Sequence, residues 1–528
     1  MGRAVGDGRL SARRAAALAA AVLLVVYVAT LAPAVTFWDA GEFIAAAHAL
    51  GIPHPPGTPL FVLLLHSWAA VVGRIAPYAV ATNLVSAICT AAAAGLAAWV
   101  IAQGGVATPA RAAMAGAICA GAMSTVWLNA TETEVYAASL LLAMAMLATA
   151  AKASRETGTR WLLLTVYLIV LAVPLHLSAL IAAPAAIVLA VQREDGIDVG
   201  RGLLLLGAAV LAAGAGRVSV PLTSDGLAII AIAAVAGLTG LNRRRSASAS
   251  AWAIGLGAIA LSAVLFMFVR ARFDPFINQG NPSTWPALFD AIARRQYDVA
   301  PLWPRQAPSW LQLANVGQYA DWQVALGLGP TVMPSVGRTI ATVVFLGLGV
   351  YGAACHRADD RRTWRALLTL LICGTVGVAV YLNLKAGPSI GAGVLPASAP
   401  HEARERDYFF ALGFWAWGLW AGYGAVAMAR RFRMPAGAGV ALAALPIALN
   451  WSAVTRRDEP QASVPTRWAT ALLDATPARG VLLAAGDNDT YPLWYAQEVL
   501  GMRRDVRVVT LPLIPAGWYR DELWRRGG

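Results

Sequence analysis

Thr36-Phe37-Trp38-Asp39-Ala40-Gly41-Glu42-Phe43-Ile44, followed by Gly51-Ile52-Pro53-His54-Pro55-Pro56-Gly57-Thr58-Pro59-Leu60, is the stretch on which the reading of this chain turns. Two carboxylates three residues apart, Asp39 and Glu42, come directly after a first apolar run long enough to span a bilayer. A helix over residues 41–50 puts Asp39 at its N-cap and Glu42 in its first turn, where carboxylates are electrostatically favoured. On that reading the stretch is a capped helix at a membrane interface. The His54-Pro55-Pro56-Gly57 run adds something else: it stops the helix and folds the chain back along the membrane surface.

Working outward, the 528 residues are 58% hydrophobic and only 13% charged, with a mean hydropathy of +0.61. Soluble chains carry about 25% charged residues, so this is a membrane protein. The net charge of +13 comes almost wholly from arginine; Lys152 and Lys385 are the lysines. Most of that excess is topology-setting charge, which argues against nucleic acid as a partner. Cys89, Cys119, Cys355 and Cys373 fall in apolar runs without metal-ligand spacing and read as small buried hydrophobes. The basic N-terminus (Arg3, Arg9, Arg13, Arg14) leads into an apolar run over 15–35 that is longer than a signal-peptide core, so an uncleaved anchor with a cytoplasmic N-terminus is expected.

Charge then sets the topology. Asp39 falls on the extracytoplasmic side. If residues 59–76 lie in the outer interface and the second span is 79–101, the basic clusters at Arg111, Lys152 to Arg160, Arg193/Arg201, Arg243 to Arg245, His356 to Arg365 and Arg430 to Arg433 are all cytoplasmic. If 59–76 crosses, every cluster moves outside. The remaining spans read as 112–130, 134–151, a folded pair within 161–191, 201–220, 224–241, 249–270, 331–352, 363–384, 407–429 and 436–453. The expected fold is an all-α polytopic bundle of about 13 spans, residues 1–454, with the first outer loop (36–78) and a long outer loop (271–330) on one face. A small extracytoplasmic α/β tail, 455–528, follows: strands near 480–485 and 506–514 flank a helix over 491–500.

The acidic residues outside basic loops gather on the outer face: Asp39, Glu42, Glu132, Glu134, Glu402, Glu405 and Asp407. Opposite them stand Lys385, Arg404 and Arg406, with Arg270, Arg272, Arg294 and Arg295 from the long loop. A carboxylate beside an apolar surface serves as a general base toward a hydroxyl, and guanidinium groups bind phosphate oxygens bidentately. A base, a phosphate clamp and a membrane entry route together suggest sugar transfer from a lipid-phosphate donor. Glu132, Glu134, Tyr136, His176, Trp285, Tyr297, Asp407 and Tyr408 are the candidate substrate-binding residues. Plain readings stand beside these. Glu132 and Glu134 also suit a helix start, residues 402–407 a solvated salt-bridge patch, the loop aromatics an interfacial belt and His176 a packed residue. Asp487 and Asp489 lie in a run that lacks the other ligands of a cation loop and reads as turn chemistry, so no metal and no cofactor is expected. A transporter or flippase of lipid-linked sugars is the competing reading, although its ionisable residues belong near the bilayer midplane. An envelope scaffold with the tail as interaction module is a third.

Trp38 to Ala46 with His54 to Leu60 resembles the opening motif of the transmembrane protein O-mannosyltransferase family, placed with the GT-C glycosyltransferases. The likeness continues in 278–285, 295–297, 381–385, His401 to Phe410, Gly486 to Tyr495 and 505–509. The resemblance implies a GT-C bundle with two interfacial helices in its first outer loop, a polyprenyl- or dolichyl-phosphate sugar as donor, a protein or glycan acceptor, and inversion at the anomeric carbon. It makes Asp39 the base, with Glu42 as its neighbour; taken with the residue reading above, Glu42 and His54 are expected as supports and Lys385, Arg404 and Arg406 as the donor-phosphate clamp. Relatives often have Ser where Ala40 stands and an aromatic where Thr58 stands. Animal members continue into a helical-repeat region that has no counterpart here, so their acceptor does not carry over.

Overall fold

The structure, a computed structural model, describes residues 10–527 apart from 104–109, 195, 239–242, 298–299, 391–394, 397 and 436. Arg3 and Arg9 of the basic N-terminus lie outside the described residues. Among the described residues, eight helices are long and apolar enough to cross a membrane: Ala12–Thr30, Tyr78–Ala102, Val135–Arg155, Val199–Arg217, Arg243–Ala271, Val336–Asp359, Arg361–Leu382 and Asp407–Arg431. Ala110–Gly121 and Ser124–Ala130 make a ninth if the 74° bend between them is counted as one broken span.

The other four expected spans are helices of 15 to 17 residues: Arg160–Leu175, Leu177–Val191, Val220–Ala236 and Ala438–Val454. Each is shorter than the roughly 20 residues needed to cross a 30 Å hydrocarbon core upright. The chain is therefore a multi-pass helical bundle, and the number thirteen is not established by helix length. The first outer loop contains the two short helices expected of it, Ala40–Ala49 and Pro59–Val72; at 14 residues the second is too short to span.

Small residues set the helix spacing. A Cβ on Gly352 would lie 2.0 Å from the Trp420 carbonyl oxygen, so Val336–Asp359 and Asp407–Arg431 approach backbone to backbone, as packing in lipid favours. The bent element shows how polar groups inside the bundle are satisfied. Its break leaves backbone groups free, and Asn450, fully buried, donates to the carbonyls of Ala122 (2.9 Å) and Gln323 (2.8 Å). Ser124 N–H donates to the Gln323 carbonyl at 2.9 Å. A broken helix at this depth is tolerated because neighbouring helices supply those partners. The bend swings Thr131 to Glu134 to one end of the bundle, where Thr36 donates to Glu132 at 2.7 Å.

The tail folds as helix–strand–helix–strand–helix: Val464–Ala475, Val481–Ala484, Asp487–Glu498, Arg507–Thr510 and Gly517–Gly527. Its strands pair in parallel, Val481 opposite Arg507 and Ala484 opposite Thr510, with the middle helix as the crossover such a pair requires. Leu473, Ala484, Leu493 and Val506 close a small apolar core. The tail is seated on the bundle rather than hung from it: the Tyr491 carbonyl oxygen would lie 2.5 Å from a Cβ on Gly41, so only a glycine fits there.

Candidate active site

The helix Ala40–Ala49 begins where the sequence places it, yet Asp39 does not cap it: its side chain accepts no bond from the first turn. Instead Asp39 Oδ2 receives Arg404 Nη2 at 3.1 Å, across 365 residues of sequence. Both side chains are mostly buried, 13% and 17% exposed. The Arg404 guanidinium lies 4.7 Å from the ring centroids of both Trp38 and Tyr408, and its Nε donates to the Tyr408 hydroxyl at 3.1 Å. Stacked on two rings and bonded at one edge, the cation fixes one carboxylate oxygen of Asp39. Asp39 Oδ1 has no hydrogen bond among the described residues. Burial works against the charge on Arg404, but Asp39, Tyr408 and Glu134 outweigh it, and the guanidinium is held charged.

Glu42 plays a different part from Asp39. It is fully buried. It accepts the His54 backbone N–H at 2.8 Å, meets His54 Nδ1 at 2.5 Å and accepts a further bond from the Gln279 amide. The His54-Pro55-Pro56-Gly57 turn is thus tied to the first turn of the helix. Burial disfavours the imidazolium, but the Glu42 carboxylate more than compensates and raises the His54 pKa to about 9. Glu42 and His54 hold the loop's shape; Glu42 has no surface to offer a substrate. Gln279, which sequence reading quotes only within a motif, is the third member of this network.

Of the proposed phosphate clamp, Arg404 is engaged by Asp39, while Arg406 bonds Glu402 at 3.2 Å and the Tyr408 hydroxyl at 2.6 Å. Lys385, half-buried, forms no side-chain ion pair among the described residues; its backbone N–H donates to Glu402 Oε1 at 2.9 Å. Glu402 therefore joins the Lys385 main chain to the Arg406 guanidinium. Arg270 is used structurally, its Nε and Nη2 donating at 2.9 Å to the carbonyls of Leu50 and Ala49 at the end of Ala40–Ala49.

The remaining candidates divide. Glu134, buried, has no side-chain hydrogen bond among the described residues; burial raises its pKa, and Asp39 and Glu132 add to the rise. Glu132 is engaged by Arg456 at 2.9 Å. Tyr136 packs its ring 5.0 Å from His176 and 5.1 Å from Tyr408, so these three form one wall beside Arg404. His176 Nδ1 bonds Ser178 Oγ at 2.7 Å. Asp407 is a fastener, accepting from Thr125 Oγ1 at 2.5 Å. Tyr297 lies within electrostatic reach of Glu42, Asp487 and Asp39. Trp285 stacks on Phe268 at 4.4 Å and is 51% exposed, as an interfacial aromatic would be; no contact brings it to Asp39.

Sequence reasoning missed the tail's share. Asp487, read as turn chemistry, begins the helix packed on Ala40–Ala49. Burial raises its pKa, with Asp39 adding to the rise and His54, Arg404 and Arg406 opposing it. Asn488 Oδ1 accepts the Trp38 N–H at 2.8 Å, and His48 Nδ1 meets Glu498 Oε1 at 2.8 Å. Among the described residues no group of three or more His, Cys, Asp or Glu side chains is arranged to hold a metal.

Two family models match parts of the chain. Residues 39–196 match the family model described as the protein O-mannosyl-transferase TMEM260 N-terminal domain. Residues 466–527 match TMEM260-associated domain 2. The mouse protein O-mannosyl-transferase TMEM260 is 44% identical over 59 residues, 11% of this chain and 8% of that relative's length. ArnT from Cupriavidus metallidurans, solved with undecaprenyl phosphate, superposes with a TM-score of 0.53 over 97% of this chain and 91% of its own, at 11% identity. The Archaeoglobus fulgidus oligosaccharyltransferase gives 0.49 at 11% identity, over 93% of this chain and 63% of its own. The chain is thus a multi-pass membrane protein that resembles TMEM260 at residues 39–196 and 466–527 and shares the fold of ArnT.

Proposed function

We propose that the chain is an inverting glycosyltransferase that moves a hexose, mannose being the first to try, from a polyprenyl-phosphate donor to a hydroxyl of a protein or glycan outside the cytoplasm. The observation that carries the reading is the state of Asp39: one oxygen is fixed by Arg404, and the other takes no bond. In the proposed reaction Asp39 Oδ1 accepts the proton of the acceptor hydroxyl, whose oxygen bonds to the anomeric carbon from the face opposite the lipid phosphate. The anomeric carbon–oxygen bond breaks, and its electron pair leaves with the phosphate. Lys385 and Arg406, whose segments Glu402 joins, are the cations assigned to that leaving group, and the unused N–H groups of Arg404 add to them. Glu42 and His54 act as positioning residues, since they hold the loop that carries Asp39. The donor class is supported by the lipid phosphate bound to ArnT.

On this reading the membrane is a bacterial inner membrane, with the N-terminus cytoplasmic and the Asp39 face and C-terminus outside. The test uses the purified chain in proteoliposomes with a labelled polyprenyl-phosphate hexose and a hydroxyl acceptor. Label in the acceptor, with release of polyprenyl phosphate, is the expected result. Movement of intact donor between leaflets with no release would instead support the flippase reading.

A further inference from the structure

A cavity about 590 Å³ in volume opens where the tail meets residues 274–279. The transfer chemistry above makes no use of it. Its wall combines the aromatic rings of Trp494, Trp518 and Tyr519 with the polar side chains of Gln279, Gln497 and Glu522. The arginines in that wall are already engaged. Arg526 bonds Asp274 at 2.9 and 3.1 Å and Glu522 Oε1 at 2.7 Å. Arg504 donates to the carbonyls of Gln497 and Glu498, and Arg507 to that of Arg526. The wall also carries the carboxyl groups of Asp274, Glu498, Asp505 and Glu522, four acidic residues against three arginines, so it does not favour an anionic ligand.

Three buried polar atoms of the wall have no partner: Trp518 Nε1, a donor, and Glu522 Oε2 and Asn278 Oδ1, both acceptors. Glu522 is only 8% exposed. A pyranose complements such a wall, having an apolar C–H face to lie on an indole and hydroxyls that both donate and accept. The volume lies within the range of small-ligand sites and admits two or three sugar units. The cavity also adjoins the loop that carries Asp39, because Gln279 lines it and bonds Glu42.

We propose that this cavity binds a neutral saccharide, the non-reacting part of a glycan acceptor. The inference rests on the transferase reading for its role, but binding can be measured without transfer. The full chain in lipid nanodiscs, free of sugar-headed detergent, would be titrated with mannobiose, cellobiose and maltotriose and with a Ser/Thr-containing peptide of similar size, and binding followed by saturation-transfer NMR. At least one saccharide should bind. Trp518→Phe, which keeps an aromatic face but loses the N–H together with the five-membered ring, should weaken it at least about fivefold, the worth of one neutral hydrogen bond, and Trp518→Ala should weaken it further. In transfer assays both variants should raise KM for a glycan acceptor and leave kcat unchanged. No saccharide binding, binding indifferent to Trp518, or binding of the peptide alone would overturn the proposal. If the wild type binds saccharide through Trp518 but transfers nothing, the site stands and the transferase reading fails. If it transfers sugar but binds no saccharide, this inference alone fails.

Discussion

Replacing Gly41 by alanine should separate the tail helix from the first-loop helix and, through that, disable the site. A Cβ at residue 41 would lie 2.5 Å from the Tyr491 carbonyl oxygen, 2.7 Å from its carbon and 3.1 Å from Pro492 N. These are backbone atoms of a helix and cannot swing aside as a side chain can. Relief to ordinary contact, about 3.5 Å between heavy atoms, moves one helix by about 1 Å. Overpacking of that kind costs about 1–3 kcal/mol. The displacement draws Asn488 from the Trp38 N–H, now 2.8 Å away, and with it shifts the ring on which Arg404 stacks. A misplacement of about 1 Å at a reacting group costs about 100-fold in rate. Transfer of labelled sugar in proteoliposomes should therefore fall by about that factor, with a lower melting temperature in detergent. Gly255→Ala is the control, since nothing lies within 4 Å of a Cβ there; it should leave both readings unchanged. Wild-type turnover and melting in the Gly41→Ala variant would refute the view that the tail completes the site.

Three further outcomes follow from the same geometry. Arg404→Lys keeps the charge but loses the planar fork and the stacking on Trp38 and Tyr408; turnover should drop about 10- to 100-fold, a loss of about 1.4–2.7 kcal/mol, with melting largely retained. Glu42→Gln leaves His54 without its carboxylate in a buried network and should cost about 3–5 kcal/mol of stability, read as a lower unfolding midpoint. Because Glu42 raises the His54 pKa in the folded chain to about 9, the histidine's contribution is in place near its ordinary value of about 6.5 and is lost as pH rises through about 9, while burial raises the Glu42 pKa and so weakens the pair again toward acid. Melting temperature should fall across that interval in the wild type and show a flatter profile in Glu42→Gln.

The apolar runs and the alternation of arginine clusters made the bundle legible, and with it the meeting of Asp39 with Arg404, because parity alone put both on one face. Hydropathy could not separate a 16-residue helix from a crossing one, so Arg160–Leu175 and its neighbour read as spans that their length does not establish. The N-cap expected for Asp39 failed for a physical reason: a buried guanidinium binds the carboxylate more strongly than a first-turn N–H does. Asp487 was the larger miss. Gly486-Asp487-Asn488-Asp489 has local turn chemistry whatever it packs against, and nothing near it in sequence reveals that Gly41 lies across from Tyr491. Gln279 and Glu42 likewise find each other over 237 residues. Periodicity reports which face of an element is buried, not which distant element covers it.

The account depends most on the free oxygen of Asp39. Asp39→Asn keeps the size and a carbonyl acceptor for Arg404 but removes the site for a proton. Turnover of a labelled polyprenyl-phosphate hexose by the purified variant in proteoliposomes, set against the wild type, is the direct measurement. The expected result is a fall of at least about 100-fold, the usual worth of a general base, with melting close to the wild type. Undiminished transfer by Asp39→Asn would contradict the account at its centre.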